Sequence, residues 1–234
     1  MLVTNRLPNI MAPDNYNIFC DASIKTFPDG ITVGCAGAIG MHQNKLNMWE
    51  YRIIPCTTNN NSEISAVFIA LEMAKTASNF YKIINIFSDS KICVFGMRHW
   101  YEGWLKAADK NGVLYNSSGE PVANQEIFKD AMRFILDNNL KINIYHQNGH
   151  VYNSASSLKR AKEVFITSNK LDITDDQLKY ISRGNDKVDS TTRSHLDFIK
   201  SSTGYSKPLI RPFRSIVTYD DVAKYRLLVG GGTI

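Results

Sequence analysis

Apolar and polar positions alternate with a period of two through the first quarter of the chain. Asn17 to Lys25 reads as a strand, and Phe27-Pro28-Asp29-Gly30 carries the turn residues that end it. Ile31 to Met41 reads as a second strand, thinned by Gly34, Gly37 and Gly40. Leu46 to Cys56 is a third, with Trp49, Tyr51 and Ile53 on one face. These three predict an antiparallel meander. The period then changes. Ile64, Val67, Phe68 and Leu71 recur at helical spacing, with Asn60, Asn61 or Ser62 as candidate caps. Ile83 to Phe87 is a short continuous apolar run, the pattern of a strand buried on both faces. Asp89 and Ser90 then cap a helix running towards Trp100. Asn124 to Leu136 is a further helix, and Lys141 to Tyr145 a fifth strand.

Strands joined through helices imply parallel crossovers beside the hairpins. The expected fold is α/β: a five-stranded mixed sheet, three antiparallel strands and then two parallel, flanked by helices. Ala155 to Ser168 predicts a helix. Thr174-Asp175-Asp176-Gln177 fits a capping box that opens a second, short one. Beyond Thr203, Pro208 and Pro212 break the pattern, and Asp220 to Leu228 suits one short helix before a Gly230-Gly231-Gly232 ending that predicts disorder. The organisation read from this is an N-terminal extension (1–16), a catalytic domain (17–202) and a C-terminal arm (203–234).

The 234 residues suit one domain with extensions, and an apolar fraction of 44% is enough for a sizeable core. A net charge of +5 permits an anionic partner. No apolar run has the length of a membrane span. Met1 to Asn15 lacks a charged region followed by an apolar stretch, so no secretory signal is expected. Cys20, Cys35, Cys56 and Cys93 form no CxxC pair, which favours buried free thiols in a reducing compartment, the cytoplasm.

Four acidic residues change this picture. Asp21 closes the first strand, Glu63 follows Thr58-Asn59-Asn60-Asn61-Ser62, Asp89 follows the apolar run, and Asp189 closes Asn185-Asp186-Lys187-Val188-Asp189. Carboxylates converging from separate elements repel unless a cation neutralises them, and hard divalent cations prefer oxygen ligands. The set therefore predicts a scaffold for two-metal phosphoryl transfer.

These strings, in this order, resemble the ribonuclease H family, type 1. Thr58-Asn59-Asn60-x-x-Glu63 resembles its second-carboxylate motif. Asp89-Ser90 with Gly96 and Trp100 resembles the third, Gly149-His150 the loop carrying its histidine, and Asn185-x-x-x-Asp189 the fourth. The match spans roughly 17 to 201. The resemblance implies two Mg²⁺ ions, or Mn²⁺, held by Asp21, Glu63, Asp89 and Asp189, with Asp21 shared between them. It implies an RNA–DNA hybrid as substrate and His150 as a proton shuttle, with His146 its rival. Thr58, Asn59 and Asn60 would contact backbone or 2′-hydroxyls, and Trp104 and Lys106 would grip the DNA strand. Alternatives are a junction resolvase-like nuclease and a catalytically silent hybrid-binding module. The chain departs from the family in carrying Lys91 where glutamine is common, and in a long insertion, 152–183, between His150 and Asn185. That insertion sits at the expected mouth of the site as a lid, a substrate-selecting arm or a partner surface. In the arm, Lys200, Lys207, Arg211 and Arg214 suit a replication-protein or nucleic-acid contact.

Overall fold

The computed structural model describes residues 5–28, 30, 32–55, 58–149, 154–198 and 222–230. Strands β1 (Asn15–Thr26), β2 (Thr32–His42) and β3 (Lys45–Pro55) form the expected antiparallel meander. Helix α1 (Asn59–Ala77) leads to β4 (Ile83–Ser88), which pairs parallel with β1. Then come α2 (Lys91–Phe95), a wide π-type turn (Gly96–Trp100), α3 (Tyr101–Lys106), α4 (Gln125–Asp137) and β5 (Ile142–His146), which pairs parallel with β4. Helices α5 (Ala155–Asn169) and α6 (Asp175–Phe198) follow, then α7 (Val222–Leu228) and β6 (Val229–Gly230).

The sheet order is β3-β2-β1-β4-β5-β6, so there are six strands rather than five. The additional strand is two residues long and pairs parallel with the start of β5. Gly230, expected to lack order, is part of it. Both flanks of the expected catalytic domain join its body. Leu7 and Ile10 pack with Phe19, Phe87 and Tyr145, and Tyr225 and Leu228 pack on the opposite face with Met97 and Tyr101. Residues 203–221 of the expected arm lie outside the described residues.

Alternate residues of β1 are buried on opposite faces of the sheet. Tyr16, Ile18 and Cys20 meet α1 and α4, while Phe19 meets α5 and α6. The second face is laid out in rows across the three central strands. One row is Asn17, Asn85 and Asn143, and the next is Phe19, Phe87 and Tyr145. The asparagines form a buried chain: Asn143 Nδ2 donates to Asn85 Oδ1 (3.0 Å), and Asn85 Nδ2 donates to Asn17 Oδ1 (3.0 Å). The aromatic rings stack, with centroids 5.2 and 5.3 Å apart. Each such pair contributes roughly 0.5–1.5 kcal/mol beyond the area it buries. The residues two places beyond the rings are Asp21, Asp89 and Gln147.

Two helices differ from their sequence patterns. The helix expected to run towards Trp100 is divided at the π-type turn, where Gly96 lies against the rings of Phe128 and Trp104. The capping box at Thr174 and Gln177 is present, with Thr174 Oγ1 accepting the Gln177 N–H and Gln177 Oε1 accepting the Thr174 N–H, both at 3.2 Å. The helix it opens is not short, because no proline interrupts the chain before Phe198. The last stretch of the expected insertion, 175–183, is therefore the N-terminal part of the helix that carries Asn185 and Asp189.

Candidate active site

Four elements deliver the four acidic residues to one place. An open cleft of about 620 Å³ is lined by Asp21, Ala22, Ser23, Ile24, Asn59, Glu63, Asp89, Asp189 and Arg193. Asp21 projects from the middle of β1, which runs on to Thr26 rather than closing at Asp21; it lies on the face of the aromatic row and is only 8% exposed, and its Oδ1 accepts the Ala22 N–H at 2.7 Å. Burial, together with the charges of Asp89, Asp189 and Glu63, raises its pKa from 3.8 to about 8. Desolvation and like charge both oppose ionisation here, and a cation beside the carboxylate reverses that balance.

Glu63 stands in the second turn of α1. The cap of that helix is Thr58, whose Oγ1 accepts the Asn61 N–H at 3.3 Å, so the expected caps at Asn60, Asn61 and Ser62 lie inside the helix. Thr58 has the extended backbone a cap needs, and a start one turn earlier places Asn59 and Glu63 four residues apart on one face. Asn59 Nδ2 donates to Glu63 Oε1. Asn60 is half-buried in the same turn.

Asp89 is the single residue between the end of β4 and Ser90, which caps α2 by accepting the Cys93 N–H at 3.4 Å. Gly149 lies directly against its carboxylate: a Cβ there would stand 2.4 Å from Asp89 Oδ2. Asp189 lies one turn beyond Asn185, which is buried and accepts a hydrogen bond from Gln147 Nε2 at 2.6 Å. Gln147 follows β5, so that bond fixes α6 over the sheet at the height of the cleft. Arg193, one turn further on, donates through Nε to Asp189 Oδ1 (2.7 Å) and through its terminal nitrogen to Oδ2. The i,i+4 spacing is the sequence signal for this pair.

All four donors are carboxylate oxygens, the donor type that hard divalent cations select. Among the described residues, however, no group of three or more His, Cys, Asp or Glu side chains is arranged to hold a metal ion as it stands.

The remaining expected residues divide. His150 lies outside the described residues. His146 is buried, with Nε2 3.1 Å from the Asp89 carbonyl oxygen and Nδ1 2.9 Å from Ser168 Oγ. Trp104, expected to face substrate, is 8% exposed and packs edge-on against Phe128, because the π-type turn directs it into the core. Lys106 is exposed at the end of α3. The three described free cysteines, Cys20, Cys35 and Cys93, are buried. No helix among the described residues is long and apolar enough to cross a membrane.

Comparison with known proteins identifies the family of the chain. The RNase H family model matches residues 13–161, which include Asp21, Glu63 and Asp89 and end before Asp189. Ribonuclease H of Thiobacillus denitrificans is 29% identical over 119 residues, covering 51% of this chain and 72% of the relative. Ribonuclease H of Polynucleobacter asymbioticus is 27% identical over 148 residues, 63% of this chain and 88% of the relative. Among solved structures, LC11-RNase H1 in complex with RNA/DNA hybrid aligns with a TM-score of 0.42 at 15% identity, covering 64% of this chain and 92% of that one. The PFV RNase H domain aligns at 0.45 and 17% identity, covering 68% and 97%. The family model spans well over half of the sequence, and the chain belongs to the RNase H family.

Proposed function

We propose that this protein is an endonuclease that hydrolyses the RNA strand of RNA–DNA hybrids and leaves 5′-phosphomonoesters. The observation that carries this reading is the convergence of Asp21, Glu63, Asp89 and Asp189, from four separate elements, on one cleft. Bound there, two Mg²⁺ or Mn²⁺ ions supply an activated water and neutralise charge on the leaving 3′ oxygen.

The chain's own residues hold the geometry. Asp21, the most buried carboxylate of the set, takes the shared position, with Glu63 and Asp89 on one side and Asp189 on the other. Asn59 orients Glu63 through its amide and, exposed at the cleft, presents its remaining hydrogen-bonding capacity to a 2′-hydroxyl. Asn60 and the Thr58 backbone contact the same strand. His150 receives or returns a proton near neutral pH. Lys106 contacts the DNA strand, and Trp104 supports α3 from within. Lys200, Lys207, Arg211 and Arg214 add a phosphate or partner contact. Residues 17–202 form the catalytic unit, and the buried free thiols suit the reducing cytoplasm.

The test is incubation with Mg²⁺ and labelled RNA–DNA hybrid, double-stranded DNA, double-stranded RNA and a four-way junction. Cleavage confined to the RNA strand of the hybrid is expected, with Asp89→Asn abolishing turnover and largely sparing hybrid binding. Hybrid binding without cleavage by the wild type, or cleavage of the junction alone, overturns the reading.

A further inference from the structure

A buried side chain ties the insertion to the edge of β5. Asn169, the last residue of α5, is fully buried and treats the edge of β5 as a neighbouring strand would. Its Oδ1 accepts the His146 N–H at 3.0 Å, and its Nδ2 donates to the His146 carbonyl at 2.7 Å. β6 pairs with β5 only at Ile142 and Asn143, so this side chain satisfies backbone groups that the sheet itself leaves at the edge. Arg98 Nη1, from the π-type turn, donates to the same Oδ1 at 2.9 Å. The residue before it, Ser168, reaches the His146 ring.

The His146 ring is a bridge. The Asp89 carbonyl oxygen can only accept, so Nε2 carries an N–H. Nδ1 faces the Ser168 hydroxyl. Asp89 lies between the end of β4 and the cap of α2, and the imidazole reaches its carbonyl oxygen there. Ser88 Oγ accepts the Ser90 N–H at 3.1 Å on the near side, and Gly149 closes against the carboxylate.

We propose that His146 is a positioning residue for Asp89, held in place by Ser168 and Asn169, so that the insertion serves as a brace for the metal-binding carboxylates. This rests on the proposed role of Asp89 as a metal ligand. Groups that orient a ligand typically matter by about ten- to a hundred-fold in metal affinity or activity.

Two substitutions in the full chain separate the halves of the bridge. Glutamine sets its amide nitrogen near the place of Nε2, and asparagine near that of Nδ1. His146→Asn is expected to raise the Mg²⁺ concentration for half-maximal cleavage about ten- to a hundred-fold. It is expected to weaken Mg²⁺ binding to the substrate-free protein, measured by calorimetry, in the same proportion, with KM for the hybrid unchanged. His146→Gln restores most of both. Ser168→Ala, which leaves the ring in place but releases its far nitrogen, produces a several-fold rise. A role in folding alone predicts lower melting temperatures with unaltered Mg²⁺ binding. That result, or equal metal dependence in the Gln and Asn variants, overturns the proposal. Where His146→Asn fails to fold, unchanged Mg²⁺ binding by Ser168→Ala overturns it. A wild type that binds Mg²⁺ and cleaves no hybrid removes the proposed function, and the calorimetric comparison still decides the brace.

Discussion

Phe19 and Phe87 stack with ring centroids 5.2 Å apart on the two central parallel strands, and two residues beyond them stand Asp21 and Asp89. Because strand side chains repeat every second residue, Asp21 shares the face of the Phe19 ring, while Asp89 directly follows the last residue of β4. The aromatic row is a buried floor beneath the carboxylates rather than part of the cleft lining, and it removes water from Asp21.

That arrangement makes Asp21 costly in the metal-free protein. Its carboxyl is pushed up to about 8 by burial first and by the charge of Asp89 next, against an ordinary value of 3.8. The folded state therefore keeps a proton that the unfolded chain loses as pH rises above about 4, so stability falls from pH 4 to 8 and levels off above that. Asp21→Asn is expected to abolish cleavage and to stabilise the metal-free protein. The gain should be absent near pH 4 and approach an upper bound on the order of 5 kcal/mol above pH 8. Thermal unfolding with a chelator from pH 4 to 9 measures it, and parallel pH profiles for the two proteins would exclude this origin.

Gly184 lies on the same floor. A Cβ there would stand 2.5 Å from the Phe19 ring, where α6 crosses β1. Alanine inside a helix normally gains about 1 kcal/mol over glycine. Here it meets a core ring that has no free space, and overpacking of this kind costs typically 1–3 kcal/mol. Gly184→Ala is expected to lower stability by about 1–2 kcal/mol net, since the steric term exceeds the propensity gain. It is also expected to reduce activity, because Asp189 is carried on the displaced helix. Chemical denaturation supplies the first number and single-turnover cleavage the second. A more stable variant would show that α6 can shift without strain.

How much of this was legible follows from which forces are local. Asp21 lies within a strand that alternation reveals, and Asp89 directly after a strand that an apolar run reveals. Glu63 follows from the motif, although the choice of Thr58 over three neighbouring caps depends on backbone angles that no residue type announces. Asp189 was harder to read. The insertion hid the fact that one helix runs unbroken from Asp175 to Phe198, since the motif at Asn185 begins inside that helix rather than at its start. β6 is two residues long and depends wholly on pairing with β5. Trp104 carries the same residue type whether it grips a strand or fills a core, and only the π-type turn decides.

Gly149 limits the other side of the site. Its Cα stands so close to Asp89 that any side chain must displace the carboxylate. Gly149→Ala is expected to reduce kcat about ten- to a hundred-fold through ligand displacement, with melting temperature within a few degrees of wild type. Cleavage at saturating and limiting Mg²⁺ distinguishes a displaced ligand from a slowed loop. Full activity at both concentrations would mean that Asp89 has room to yield.

The asparagine row predicts the converse, a loss of stability without a loss of chemistry. Asn85 donates to Asn15 Oδ1 (3.2 Å) and Asn17 Oδ1 (3.0 Å) and accepts from Asn143, joining three strands beneath the aromatic row. Truncating it leaves buried polar groups on both neighbours without that partner, and each such group costs roughly 1–3 kcal/mol. Asn85→Ala is expected to lose about 3 kcal/mol, near the upper end for one group because several share the loss. Asn85→Leu fares no better, since the groups facing it stay polar. Asn17 and Asn85 lie four residues before Asp21 and Asp89, and Asn143 four before Gln147, so kcat and the Mg²⁺ requirement should remain those of the wild type wherever the variant is folded. Equilibrium unfolding and cleavage at low temperature test both halves. A variant as stable as wild type would mean that water enters the row, and a variant that is folded but inactive would mean that the rows transmit strand register to the cleft.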